Sequence, residues 1–274
     1  SENAIKRWAL TQSIPCRSPE KPTNEDCDWL HEEKIDSILV MAYGHILKKS
    51  FLKVAPSGCY NLHASLLPKY RGASPIETAI AMGEDITGVT LMRVMPRMDA
   101  GPIVDSESIL ITSEDTGFKL RNKIAQSCIP LIKRNIQSLV SGIAEEVIQE
   151  EEDSTYCRKL NKEDGNLNFS APAKLLANRI RAFQAWPGCG FYLNGQKIRI
   201  GSAEAISANS SIKIGETIRD DEGHFLIGTG IGVLRVLEMQ KPGGKMLKVP
   251  DFLRGFNFPF GEILDSLEMK DLLL

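Results

Sequence analysis

An unbroken apolar run at residues 36–43, DSILVMAY, constrains the fold more than any other stretch of the chain. It is bounded by a charged residue and by Gly44 and shows no polar alternation. That pattern predicts a strand buried on both faces of a parallel sheet, which in turn demands covering helices. Further strands are expected at 59–62, 88–95 and 104–111, with helical spacing at 73–82 after Pro75. From 116 to 140, Leu120, Ile124, Ile129, Ile132, Ile136 and Leu139 recur at helical intervals behind the capping candidates Thr112, Ser113 and Thr116. This predicts a long helix, bent near Pro130. Upstream, Ala4, Ile5, Trp8 and Ala9 make an amphipathic opening, and a second helical pattern spans 25–33. Strands alternating with helices over 1–145 predict an α/β domain with a largely parallel sheet.

The texture then changes twice. Residues 146–165 are acidic and lack core periodicity, which predicts a linker crossing the surface. Over 166–274 a helix at 173–183 is followed by β-like pieces at 189–193, 197–203, 217–220, 225–228 and 233–240, separated by Asn-Gly and Gly-x-Gly turns. This predicts a second domain, a small β-barrel. Gly228-x-Gly230-x-Gly232 has no helix after it and reads as a turn, not a phosphate loop.

Several function classes are disfavoured. With 42% hydrophobic and 25% charged residues the composition is ordinarily globular, and no run nears the ~20 residues that span a bilayer. The first residues lack the pattern of a signal peptide, so a soluble protein without a membrane partner is expected. The six cysteines lie far apart with no Cys-x-x-Cys pair, which argues against a disulfide framework or a metal site. A net charge of −2 gives no overall basic field for nucleic acid. The excess of basic side chains beyond residue 158 is slight.

The chemistry concentrates between Asn61 and Gly101. Asn61 and His63, two apart in an extended segment, project to one side at a strand end, where open α/β sheets bind ligands. Asp99 follows another strand in a loop bounded by Pro96 and Gly101 and can fold back over the same end. An amide can hold a developing oxyanion, an imidazole can give a hydrogen bond or proton, and a carboxylate can orient the ring. Taken alone, Asn-x-His is a common chance pairing and Asp before Ala-Gly is more often a turn residue.

The words around these residues resemble the formyltetrahydrofolate-dependent transferases. Asn61 to Pro68, Asn-x-His-x-Ser-Leu-Leu-Pro, is similar to that family's core motif, and Asp99-Ala100-Gly101 to its later Asp-x-Gly element. Tyr70 to Ile76 and Thr87 to Thr90 are also similar. Ile180 to Phe183, Trp186-Pro187-Gly188, Lys241 to Met246 and Asp251 to Gly255 resemble the C-terminal domain of the methionyl-tRNA formyltransferases. The resemblance implies a Rossmann-like formyltransferase domain over 1–145 and an OB-like barrel over 166–274. It implies transfer of a formyl group from 10-formyltetrahydrofolate to initiator methionyl-tRNA by the catalytic triad Asn61, His63 and Asp99, without a metal.

Carried onto this chain, the resemblance assigns the folate site to Met41, Ala42, Tyr43, Gly44, Ile46, Leu47, Ser65, Leu66, Leu67, Pro68 and Arg97. It assigns tRNA contacts to Lys241, Lys245, Lys248 and Arg254, and to Arg71, for which a phosphate contact and a loop cap stand level. A solvated face is the plain alternative for the four C-terminal cations. It implies a monomer in the full-length protein, in the cytoplasm or, in a eukaryote, an organelle matrix. It also implies a strand-helix-strand unit upstream of the helix at 3–13, for which the sequence holds no counterpart. The strand at 36–42 is therefore expected to lie at a sheet edge. The alternatives are a sugar-nucleotide amine formyltransferase and a truncated, non-catalytic folate- or RNA-binding protein.

Overall fold

Local signals set the helix ends in the computed structural model, which describes residues 4–44, 47–207 and 212–274. Helices α1 (Ala4–Thr11) and α2 (Asn24–Glu32) come first; at α2, Asp26 accepts from the Thr23 N–H at 2.8 Å in a capping box. Then follow β1 (Ser37–Met41), α3 (Lys49–Leu52), β2 (Gly58–His63), β3 (Arg71–Gly72), α4 (Pro75–Met82), β4 (Ile86–Arg93), β5 (Ile103–Leu110) and α5 (Gly117–Ser141). Pro75 opens α4, Gly83 at φ 81° closes it, and Thr116 caps α5 by accepting from the Lys119 N–H. The second part holds β6 (Tyr156–Cys157), a 3₁₀ turn (Lys162–Gly165), α6 (Ala173–Ala182), β7 (Gly190–Leu193), β8 (Gln196–Ile206), β9 (Thr217–Arg219), β10 (Phe225–Gly228), β11 (Val233–Gln240), β12 (Leu247–Lys248) and α7 (Val249–Arg254).

The first sheet runs β1-β2-β4-β5. It is mixed instead of largely parallel: β1 pairs parallel with β2, while β4 is antiparallel to both β2 and β5. Apolar runs report burial of both strand faces and carry no record of strand direction, so the sequence pattern could not separate the two. Strand β1 differs from expectation too. It is hydrogen-bonded on one side only, and Leu39 and Met41 are exposed by 44% and 55%. The expected edge is therefore present, and the strand is not buried on both faces. Helix α5 passes through Pro130 without ending and buries Leu120, Ile124, Cys128, Leu131 and Leu139, leaving Ile129 and Ile136 outside.

The second sheet is antiparallel, in the order β7-β8-β11-β10-β9 with β12 on β11, and curls into an open half-barrel. Phe191, Phe225 and Phe258 fill it, the last two with ring centroids 4.6 Å apart. Helix α6 packs on β8 and on α4, so one buried cluster runs through both parts. Gly228 ends β10, and Gly230 and Gly232 lie in the β10–β11 connection, as expected of a turn.

The acidic stretch from 146 does not cross the surface loosely. Val147 bridges Ile103, Glu146 pairs with Arg93, and β6 runs parallel beside β3. Carboxylates read in sequence as solvent-facing find arginine partners that lie 50 or more residues away.

Candidate active site

Strand β2 places Asn61 and His63 on one face, between β1 and β4 in the register Val40↔Asn61↔Met92. His63 is buried and Asn61 half-buried. The Asn61 amide makes no hydrogen bond among the described residues and is free to act on a bound group. Asp99, in the β4–β5 loop at φ 50°, reaches over the same strand end, with its Oδ2 3.6 Å from His63 Nδ1. His63 and Asp99 thus meet in space, and Asn61 lies on the same strand face as His63.

The ring's orientation follows from its partners. His63 Nε2 lies 2.9 Å from the Tyr70 carbonyl oxygen, which can only accept, so Nε2 carries a hydrogen. Nδ1 is the nitrogen that faces Asp99. At 3.6 Å the Nδ1–Asp99 contact is longer than a direct hydrogen bond. Asp99 Oδ2 accepts instead from the Gly72 N–H at 2.9 Å. Gly72 is at φ 112°, and a Cβ there would strike the Cys157 carbonyl. Only glycine brings its amide to the carboxylate in this way.

The loop after β2 is held from within. Ser65 is fully buried and its hydroxyl donates to the Lys69 carbonyl. Thr90 donates to the Ser65 carbonyl at 2.7 Å and accepts from the Leu67 N–H at 3.1 Å. Ser65 and Leu67 therefore shape the loop, and Leu66 and Pro68 are half-buried in it. Tyr70 donates to Glu84, and burial, reinforced by that carboxylate, pushes its phenol well up.

Met41, Ala42, Tyr43 and Gly44 leave β1 beside Leu62, since Met41 pairs with Leu62. Tyr43, Gly44 and Leu47 border a cleft of about 380 Å³ that is also lined by Thr23, Phe51 and Lys48. Ile46 lies outside the described residues. Ser65 to Pro68 do not line that cleft. Arg97 is exposed and pairs with Glu151; that hydrogen bond raises its guanidinium pKa, while the hydrogen bond from Arg71 leads in lowering that of Glu151.

Arg71 is corrected. It is fully buried, with its guanidinium bonded to Gln149, Glu151 and Tyr156, and no face remains for a tRNA phosphate. The sequence left a phosphate contact and a loop cap level, whereas its partners come from the acidic stretch. Lys241, Lys245 and Lys248 are exposed along the β11–β12 turn, and Arg254, also exposed, pairs with Asp251 on α7. Gln149, whose amide joins Arg71 to the Asp99 loop, escaped the sequence reading. One amide in a run of carboxylates has no periodic signal, and only its isolation among acids marked it.

A family model described as "Formyl transferase" matches residues 8–132, and one described as "Formyl transferase, C-terminal domain" matches 159–257. The chain belongs to the formyl transferase family. It is 36% identical over 264 residues to a methionyl-tRNA formyltransferase of Herminiimonas arsenicoxydans, covering 93% of this chain and 83% of that protein. A protein of the same name from Legionella pneumophila strain Paris is 36% identical over 254 residues, 92% of this chain and 81% of its own. Among solved structures, the sugar 3N-formyl transferase WlaRD superposes with a TM-score of 0.63 at 23% identity, covering 88% of this chain and 82% of that one. HypX of Aquifex aeolicus in complex with tetrahydrofolic acid gives 0.62 at 20% identity, covering 90% and 44%. These two share the fold, a Rossmann-like domain followed by a small C-terminal barrel. Among the described residues, no cluster of His, Cys, Asp and Glu is placed to hold a metal, and no helix is long and apolar enough to cross a membrane.

Proposed function

We propose that the chain transfers a formyl group from 10-formyltetrahydrofolate to the α-amino group of initiator methionyl-tRNA, at the start of protein synthesis. The observation that carries this reading is the assembled Asn61, His63 and Asp99 in a chain 36% identical, over 93% of its length, to proteins named for that reaction. Tyr43, Leu47 and Phe51, set among the polar Thr23, Asn24 and Lys48, line a cleft beside the β1 end whose size is usual for small ligands. When bound, the folate supplies the activated formyl carbon.

The chain's own residues do the rest. The unengaged Asn61 amide donates to charge developing at the formyl oxygen, and His63 joins it through Nδ1 when the ring carries a hydrogen on both nitrogens. Asp99 keeps the imidazole oriented and takes part in moving the amine proton. Met41, Ala42, Gly44, Ile46 and Arg97 are assigned to the folate side on the same reading. The domains are read as formyl transfer over 1–145, a connection over 146–165 and a tRNA-facing barrel over 166–274. There Lys241, Lys245, Lys248 and Arg254 offer charge to backbone phosphates. We read the protein as a monomer once the free side of β1 is covered, acting in the cytoplasm or an organelle matrix.

The test supplies the formyl donor and offers, separately, charged initiator tRNA and amino-sugar nucleotides. Formylated tRNA is expected. Formylation of the sugar alone refutes the reading in favour of that other branch, and absence of any product with folate retained refutes it in favour of a non-catalytic protein. Asn61→Ala and His63→Ala should each lower turnover by roughly 10²–10³-fold, and near-normal turnover in either variant excludes the assigned roles.

A further inference from the structure

The side chain of Gln149 is almost fully enclosed, and every hydrogen-bonding position of its amide is used. Its Nε2 donates to the carbonyls of Asp99 at 2.9 Å and of Gly101 at 2.7 Å. Its Oε1 accepts from Arg71 Nε at 3.0 Å and from Arg71 Nη2 at 2.9 Å. Arg71 spends Nη1 on Glu151 at 3.0 Å and on the Tyr156 hydroxyl at 2.8 Å. One residue further on, the Gly72 N–H meets the Asp99 carboxylate, and the Arg71–Gly72 strand is itself paired with Tyr156–Cys157.

The acidic stretch therefore grips both parts of the acid-base machinery. It holds the backbone of the Asp99 loop directly through Gln149. It holds the amide that faces the Asp99 carboxylate through β6 and Arg71. Asp99 sits at a positive φ that a non-glycine residue keeps only when its surroundings impose it. Gly101 is similarly constrained, because a Cβ there would strike the Arg93 carbonyl. A glutamine can do what its nearest substitutes cannot. Glutamate would set negative charge against two carbonyl oxygens, and an apolar side chain would leave a buried guanidinium and two carbonyls short of partners.

We infer that Gln149, oriented by Arg71, is the positioning residue that sets Asp99 against His63 for formyl transfer. The inference rests on the formyl-transfer reading above. Misplacing a reacting group by about 1 Å costs on the order of 10²-fold in rate, so kcat should bear the loss while binding of the folate does not.

Gln149→Glu, close to isosteric, and Gln149→Ala are compared with the unaltered protein in initial-rate assays, under conditions where each remains folded. The expected result is a fall in kcat of roughly 10–10²-fold with the KM for the formyl donor within about threefold. Hydrogen exchange of the Gly72 amide is measured in parallel by NMR and should accelerate in both variants. In the unaltered protein, the two Gln149 side-chain amide protons should exchange slowly. Unchanged kcat in either folded variant, a loss confined to KM, an unchanged Gly72 amide, or rapidly exchanging Gln149 amide protons each overturns the inference. If the unaltered protein forms no product, the formyl-transfer reading fails by itself, and the exchange measurements still decide whether Gln149 holds the loop.

Discussion

Replacing Gly72 by alanine tests whether the backbone around the carboxylate matters as the geometry says. Gly72 lies at φ 112°, outside the region that residues with a Cβ ordinarily occupy, which costs about 1–3 kcal/mol. The new Cβ would also fall closer than 3.0 Å to the Cys157 carbonyl oxygen. That atom belongs to β6 and cannot swing aside as a side chain would, so overpacking adds about 1–3 kcal/mol. Together the terms reach roughly 2–6 kcal/mol, and at about 2–4 °C per kcal/mol the melting temperature should fall by roughly 4–24 °C. Relief of the clash moves the Gly72 N–H by on the order of 1 Å from Asp99, and turnover should drop about 10²-fold. Scanning calorimetry gives the first number, and initial rates well below the transition give the second. A melting temperature within about 2 °C of the unaltered protein, or turnover within about threefold, would refute the reasoning, because either outcome means the β3–β6 contact yields without disturbing the carboxylate.

Three further outcomes are expected. Burial raises the Asp164 carboxyl, but the Arg158 guanidinium and the Asn161 N–H outweigh it and hold its pKa below the usual value. Its stabilisation is then complete above the unfolded carboxylate pKa of about 3.9 and is lost as pH falls through the lower folded value. Urea unfolding should show Asp164→Asn less stable at pH 7, with the gap closing below about pH 4; a gap independent of pH contradicts this. Lys241→Glu and Lys245→Glu should weaken tRNA binding and flatten its salt dependence by about one unit of log-log slope for each phosphate no longer neutralised, without lowering the melting temperature. An unaltered slope removes these residues from the interface. The one-sided strand β1, with Leu39 and Met41 exposed, should make the 274-residue chain associate with rising concentration. Leu39→Lys should return it to a monomer in sedimentation, whereas a monodisperse monomer with strongly protected amides at 38–41 shows the edge to be covered.

Residues that act through local spacing were legible from the chain alone. Asn61 and His63 share a face because strand side chains alternate, and helices begin at Pro75 and behind Thr116 because caps act within a few residues. The half-barrel was likewise legible, since turns and short apolar pieces mark each strand. Strand direction, the exposure of Leu39 and Met41 and the burial of Arg71 were not, because each depends on what lies alongside in space. Asp99 meets the amide of Gly72, and Gln149 meets Arg71, across 27 and 78 residues of sequence. Charge and amide groups carry no periodic trace of such partners. Whether an arginine faces solvent or a buried glutamine, and whether an acidic run is a loose tether or a clamp, is decided only when the tertiary fold brings the donors and acceptors together.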